Sequence, residues 1–193
     1  MCIRDRTGAT AVHPYNDPVV VSGAGTIGLE LENQAPGETA SIDSIDSVLV
    51  ACGGGGLAAG LATWFDPSHG DSTTPPTSVV ACETETTAGF AEARKAGQPV
   101  DVEVSGVAVD ALGATSIGAV PFAALQAADA QSVLVNDAAV TAAQQFLWDK
   151  LRIVVEPSAA VPVATVLSGR WQPAGGTHTA IVVCGANTGI ELS

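Results

Sequence analysis

Two kinds of apolar pattern alternate along the chain. Short continuous runs rich in Val and Ile occur in "SVLVA" (47–51), "TSVVACET" (77–84), "QSVLVND" (131–137) and "HTAIVVCGANTG" (178–189). Unbroken apolar runs of this length predict strands buried on both faces. Between them lie alanine-rich stretches that read as helices: "LAAGLATWF" (57–65), "TAGFAEARKAG" (87–97), "AAVTAAQQFLWDKL" (138–151) and the region "IVVEPSAAVPVATVLSGR" (153–170). Helix ends carry their own signals. Gly97 suits a C-cap, Asn136 or Asp137 an N-cap, and Pro157 the first turn of a helix after an extended approach. Strands alternating with helices predict an α/β fold, an open twisted and mostly parallel sheet with helices on both faces. The closing run is expected to be a buried strand followed by a turn. "DPSHGDSTTPPTS" (66–78) reads as a surface loop, and no internal repeat is visible.

Composition narrows the function. The chain has 193 residues, 47% of them hydrophobic, and a mean hydropathy of +0.33, enough to fill the core of one domain or most of one. Seven basic residues oppose 20 acidic ones, a net charge of -13. That excess disfavours nucleic acid and anionic membrane surfaces as partners, since both are held by Lys and Arg. Cys2, Cys52, Cys82 and Cys184 lack metal-binding spacing, and three of them close apolar runs where a thiol acts as a small hydrophobe. No apolar run reaches the roughly 18 residues of a membrane span, and "MCIRDRTGATAVHPYNDP" has no signal-peptide core. A reduced, cytoplasmic protein is the resulting expectation. His13, His69 and His178 show no ligand spacing and read as surface or capping residues.

Two glycine motifs compete for a ligand. "GAGTIG" (23–28) matches the G-x-G-x-x-G pattern of dinucleotide-binding folds, with Asp43 and Asp46 about 20 positions on. Its context differs from that pattern, because only "VVV" precedes it and the acids come before the next strand rather than after it. The alternative is a helix whose glycines allow close packing. "ACGGGGLAAG" (51–60) is better placed, following an apolar strand and opening a helix. Successive backbone N–H groups and the positive helix terminus there converge on one point, a main-chain site for a phosphate. Without a G-K-[ST] ending it suits a cofactor monophosphate better than a nucleoside triphosphate.

With these residues in view, the chain resembles the serine/threonine dehydratases, fold type II enzymes that depend on pyridoxal 5'-phosphate and are related to serine racemase. "HPYNDPVVVSGAGTIGLELE", "VLVACGGGGLAAGLATWF", "VAVDALGATSIG", "VVEPSAAVPVATVL" and "IVVCGANTG" carry the resemblance, from His13 to the end. It implies that Gly53, Gly54, Gly55, Gly56 and Leu57 hold the cofactor phosphate through backbone amides. It also implies that Gly113 lies near the cofactor ring, that Glu156 is a carboxylate close to the site, and that Cys184 faces the pyridine nitrogen. A neutral thiol there suits elimination better than transamination. Some relatives bind a divalent cation through a Glu at the position of Glu83, a carbonyl near Thr87 and an Asp where this chain has Gly89. With that Asp missing, a metal site is not favoured, although Glu85 is a candidate to compensate.

The resemblance also requires a Schiff-base lysine, and the chain has only Lys95 and Lys150, both in polar helical contexts. No catalytic residue is therefore assigned within it. The expectation is a fragment: residues 1–12 an unreliable start, 13–193 the C-terminal part of the cofactor-binding large domain, with the lysine-bearing part and the small domain elsewhere. For the intact protein the resemblance implies deamination of L-threonine or L-serine to 2-oxobutanoate or pyruvate and ammonia, by a homodimer or tetramer. The alternatives are a serine racemase or β-replacing synthase of the same superfamily, or a non-catalytic nucleotide- or cofactor-binding module.

Overall fold

The computed structural model describes residues 8–34, 45–66 and 77–189. Four strands form one parallel sheet: β1 (Ser47–Ala51), β2 (Ser78–Thr84), β3 (Gln131–Val135) and β4 (Thr179–Ile181), in the order β3-β2-β1-β4. Leu49 lies beside Val80 on one side and Ile181 on the other. The strands alternate inward side chains between two apolar layers, as a sheet covered on both faces must. Val48, Val50, Cys52, Val79 and Ala81 face one layer, with α1 (Pro18–Gln34), α2 (Gly56–Trp64), α3 (Gly89–Ala96) and α5 (Ala119–Ala127) contributing to it or packed against it. Leu49, Ala51, Val80, Cys82 and Val135 face the other, formed with α4 (Val109–Leu112), α6 (Asp137–Phe146) and α7 (Pro157–Leu167). The α/β expectation is met on both faces.

The helix ends follow their signals. Gly97 closes α3 in the left-handed conformation, φ 72°. Asn136 opens α6, its side chain accepting the Ala139 N–H at 2.9 Å. Pro157 is the first residue of α7. The segment around Lys150 is a π-helical turn, Leu147–Leu151, closed by Arg152 at φ 58°.

The close-packing reading of "GAGTIG" holds for two of its three glycines, the expected burial of the closing strand needs correction, and two helices are additional. "GAGTIG" lies inside α1 and is no strand-to-helix loop, so its amides are spent within a helix. Its glycines serve packing: a Cβ on Gly25 would sit 3.0 Å from the Gly60 carbonyl oxygen, and one on Gly28 would overlap the Trp64 side chain. Gly23 has open space around it and takes no part. The closing strand is short and half-buried, because β4 is paired only along β1 and lies at the end of the sheet. Helices α4 and α5 go beyond the sequence expectations. Most of the 66–78 loop, together with Cys2, His69 and Asp43, lies outside the described residues.

Candidate functional site

The strand order creates the site. The chain moves outward from β1 to β2 to β3, then returns to place β4 on the other side of β1. At such a switch point the loops leaving the two strands diverge, and a crevice opens at their C-terminal ends. The loop leaving β1 is the glycine tetrad, and the loop leaving β4 is "VVCGANTG".

Each glycine of the tetrad has a physical reason. Gly55 adopts φ 90°, where any Cβ is strained, and a Cβ there would also sit 2.7 Å from Pro121 Cβ. A Cβ on Gly53 would come 2.9 Å from Leu112 Cα, and one on Gly54 would overlap the Tyr15 ring. The loop is thus walled by α4, by the approach to α5 and by the segment before α1. Gly118 fixes it further by donating its N–H to the Gly54 carbonyl at 3.1 Å. The loop's own amides stay free. Among the described residues no protein acceptor takes the N–H groups of Gly53, Gly54, Gly55, Gly56 or Leu57, and α2 has no side-chain N-cap. Five clustered donors at a helix N-terminus form a positive cup for an oxyanion.

Gly113 ends α4 directly after Leu112, the residue packed on Gly53, so the structure brings the "DALGA" loop against the cup. Glu156 and Cys184 meet at the second loop. The Glu156 N–H donates to the Gly185 carbonyl at 3.1 Å. Its carboxylate accepts from Ser158 Oγ at 2.5 Å and from the Asn187 N–H at 3.1 Å. A Cβ on Gly185 would run into that carboxylate, which explains the glycine of "CGAN". Glu156 thereby locks the turn after β4 to the start of α7. Cys184 is solvent-exposed on the neighbouring backbone, yet protein around it withdraws enough water to raise the thiol's pKa, and the Glu156 carboxylate adds to the rise. The thiol there stays protonated and neutral.

Glu83 is not arranged as a metal ligand. It is fully buried, and its two oxygens accept the N–H groups of Phe90 (2.7 Å) and Ala91 (2.9 Å) at the start of α3, with Ser132 Oγ at 3.3 Å. Burial pushes its pKa up to about 7, against the lowering effect of those hydrogen bonds. Glu85 turns to Arg170 at 3.5 Å instead of compensating. Among the described residues no group of three His, Cys, Asp or Glu side chains is placed to hold an ion.

Neither lysine approaches the cup by its contacts. Lys95 pairs with Glu92 at 2.7 Å on the outer face of α3, and Lys150 is exposed on the π-helical turn. Sequence reasoning missed three residues that shape the site. Tyr15, half-buried, covers Gly54 and Gly56; Ile117 and Pro121 wall Gly55. The signal for Tyr15 was its adjacency to "HP" and "NDP". His13 Nδ1 accepts the N–H groups of Tyr15 (3.3 Å) and Asn16 (2.9 Å), the capping role expected of it. No helix of the described residues is long and apolar enough to cross a membrane.

Comparison with known proteins agrees with this geometry. The chain is 30% identical over 190 residues to an L-threonine ammonia-lyase from Thermotoga maritima, covering 98% of this chain and 44% of that protein. It is 27% identical over 194 residues to a serine racemase from Oryza sativa subsp. indica, covering 98% and 53%. The crystal structure of a T.th. threonine deaminase superposes with a TM-score of 0.85 at 32% identity, covering 98% of this chain and 65% of that one. The chain therefore spans about half the length of the curated relatives it matches. The family model described as "Pyridoxal-phosphate dependent enzyme" matches residues 1–185. A glycine cup at the switch point of a parallel sheet and a match along almost the whole chain lead to one assignment: this chain belongs to the pyridoxal-phosphate dependent enzyme family.

Proposed function

We propose that this chain is the C-terminal part of the cofactor-binding domain of a pyridoxal-phosphate-dependent ammonia-lyase acting on L-threonine or L-serine. The observation that carries the reading is the cup of unpaired amides from Gly53 to Leu57 at the β1/β4 switch point. Those five N–H groups would hold the cofactor phosphate through main-chain hydrogen bonds. When bound, pyridoxal phosphate supplies an electron sink for charge developing at the substrate Cα. Gly113 keeps the "DALGA" loop close to the cup. Cys184, protonated, would face the ring nitrogen without adding charge, while Glu156 and Ser158 hold the turn that carries it. The cofactor-bonding lysine comes from a segment outside these 193 residues, since both lysines here are solvent-facing. The small domain, amino-acid substrate and homo-oligomeric assembly belong to that longer protein, in a cytoplasmic setting.

The test has two stages. Titrating the 193-residue chain with pyridoxal phosphate should give a saturable shift in the phosphate ³¹P resonance, lost in Gly55→Trp, with no response to NAD(H). A response to NAD(H) alone would favour the nucleotide-binding module. The longer protein, recovered by following the coding sequence upstream, should release 2-oxobutanoate from L-threonine or pyruvate from L-serine. The similarity to serine racemases favours a second reading, for which D-serine would form without a 2-oxo acid as the main product.

A further inference from the structure

We infer that the ring of Tyr15 is a positioning residue for the anion cup, holding the glycine loop in its ligand-ready shape; this rests on the cup reading above. Tyr15 is the half-buried centre of a short staple. Its N–H and that of Asn16 donate to His13 Nδ1, and the His13 and Tyr15 rings meet edge to face with centroids 4.6 Å apart. Asn16 Oδ1 accepts the Val120 N–H at 3.0 Å, at the start of α5. Directly after the staple, α1 begins, its first turn tied by the Asp17 carboxylate accepting the Val19 N–H at 2.8 Å. That helix is docked on α2 by the Gly25–Gly60 contact.

The staple presents the Tyr15 side chain to the loop. A Cβ on Gly54 would overlap the ring atoms, and one on Gly56 would come 2.9 Å from both Tyr15 Cα and Cβ. The ring therefore lies against Gly54, while the Tyr15 backbone and Cβ press on Gly56, so that one residue touches two of the five whose amides form the cup. A second wall, at Gly55, is Ile117 and Pro121, with Gly118 bonded to the Gly54 carbonyl. A four-glycine segment has more backbone freedom than any other sequence of its length. Walls at Gly54 and at Gly55 remove that freedom before the anion arrives, and pre-organised donors bind more tightly than donors that must be ordered. The Tyr15 hydroxyl makes no hydrogen bond within the described residues, so the ring alone carries this role.

The experiment is pyridoxal phosphate titration of the full 193-residue chain and its Tyr15→Phe, Tyr15→Ala and Gly54→Ala variants. Affinity is read by calorimetry and the bound phosphate by ³¹P NMR. Tyr15→Phe should bind within about twofold of the parent, and Tyr15→Ala about tenfold more weakly, with the bound ³¹P resonance shifted and broadened. A purely structural loss would lower the ligand-free melting midpoint and leave that resonance unchanged in the folded molecules. Gly54→Ala should weaken binding alone, and the double variant should bind no worse than the weaker single one, because both act on one contact. Equal affinity and an unshifted resonance for Tyr15→Ala, additive losses in the double variant, or a tenfold loss in Tyr15→Phe would each overturn the inference. If Tyr15→Ala does not fold, the Gly54→Ala and Tyr15→Phe pair still decides it. A parent chain that binds neither pyridoxal phosphate nor inorganic phosphate would overturn the cup reading itself, and this inference with it.

Discussion

Two consecutive strand–helix units solve the same electrostatic problem in opposite ways. Both α2 and α3 start just beyond the C-terminal end of a parallel strand, and both point unsatisfied amides and a positive helix terminus at that edge. At α3 the chain supplies the acceptor itself. Glu83, the penultimate residue of β2, places one oxygen on each of the Phe90 and Ala91 amides. At α2 the equivalent position is empty of side chains, because the four residues after Cys52 are glycines. A closed terminus builds structure; an open one leaves its donors available. The contrast also explains why a carboxylate that looks like a metal ligand in sequence is none in the fold.

The largest break in this comparison is Glu83→Ala. It removes the internal acceptor and leaves two buried N–H groups without partners, at a cost of about 3 kcal/mol. Urea unfolding should report that loss, and an unchanged midpoint would mean that α3 does not depend on its cap. Glu83 also sharpens the comparison through pH. Its folded pKa of about 7 stands above the ordinary carboxylate value of 4.5, so the native state holds the proton more tightly than the unfolded chain. Its contribution is then greatest below pH 4.5 and is lost as pH rises towards 7, by no more than about 3 kcal/mol. Stability curves across that window should fall with rising pH for the parent and run flatter for Glu83→Gln. A rise would reverse the assigned sign.

A smaller effect on stability, but a larger one on binding, is expected at Gly55. Alanine there meets φ 90° and the Pro121 side chain, costing about 1–2 kcal/mol. Phosphate affinity should drop by more than tenfold, while the Glu83-capped α3 keeps its amide protection. Parent-like affinity in Gly55→Ala would show that the left-handed turn is not what aims the donors.

Much of this was legible in the chain. The β-branched runs announce the parallel sheet because a strand buried on both faces needs no alternation, and Gly97, Asn136 and Pro157 mark helix ends through local chemistry. The glycine tetrad, too, marks the turn from β1 into α2, where four residues without side chains leave a row of main-chain N–H groups without protein acceptors. What stayed hidden depends on contacts distant in sequence. Glu83 bonds residues seven and eight positions later plus Ser132, and that geometry exists only once β2, β3 and α3 are assembled. Tyr15 covers glycines about 40 residues away, and the spacing of "GAGTIG" is the same whether its glycines face a nucleotide or Gly60 and Trp64. The depth of β4 was misjudged because hydropathy records how apolar a strand is, not whether a neighbour lies on its far side.

The smallest expected effect tests the open cup from outside. If α2 takes its anion through main-chain donors alone, the chain's own cations contribute nothing to phosphate affinity. Lys95 is held by Glu92 in an exposed i,i+3 pair, an arrangement that contributes only a few tenths of a kcal/mol to stability. Lys150 sits on the π-helical turn after α6, in an exposed stretch. Replacing both with Met should therefore leave phosphate affinity within a factor of two and the unfolding free energy within about 0.5 kcal/mol. Borohydride reduction of the parent chain with pyridoxal phosphate should give only slow, unselective labelling of these lysines. Rapid stoichiometric capture by either one would place a cofactor-bonding lysine inside this chain and remove the need for one from outside it.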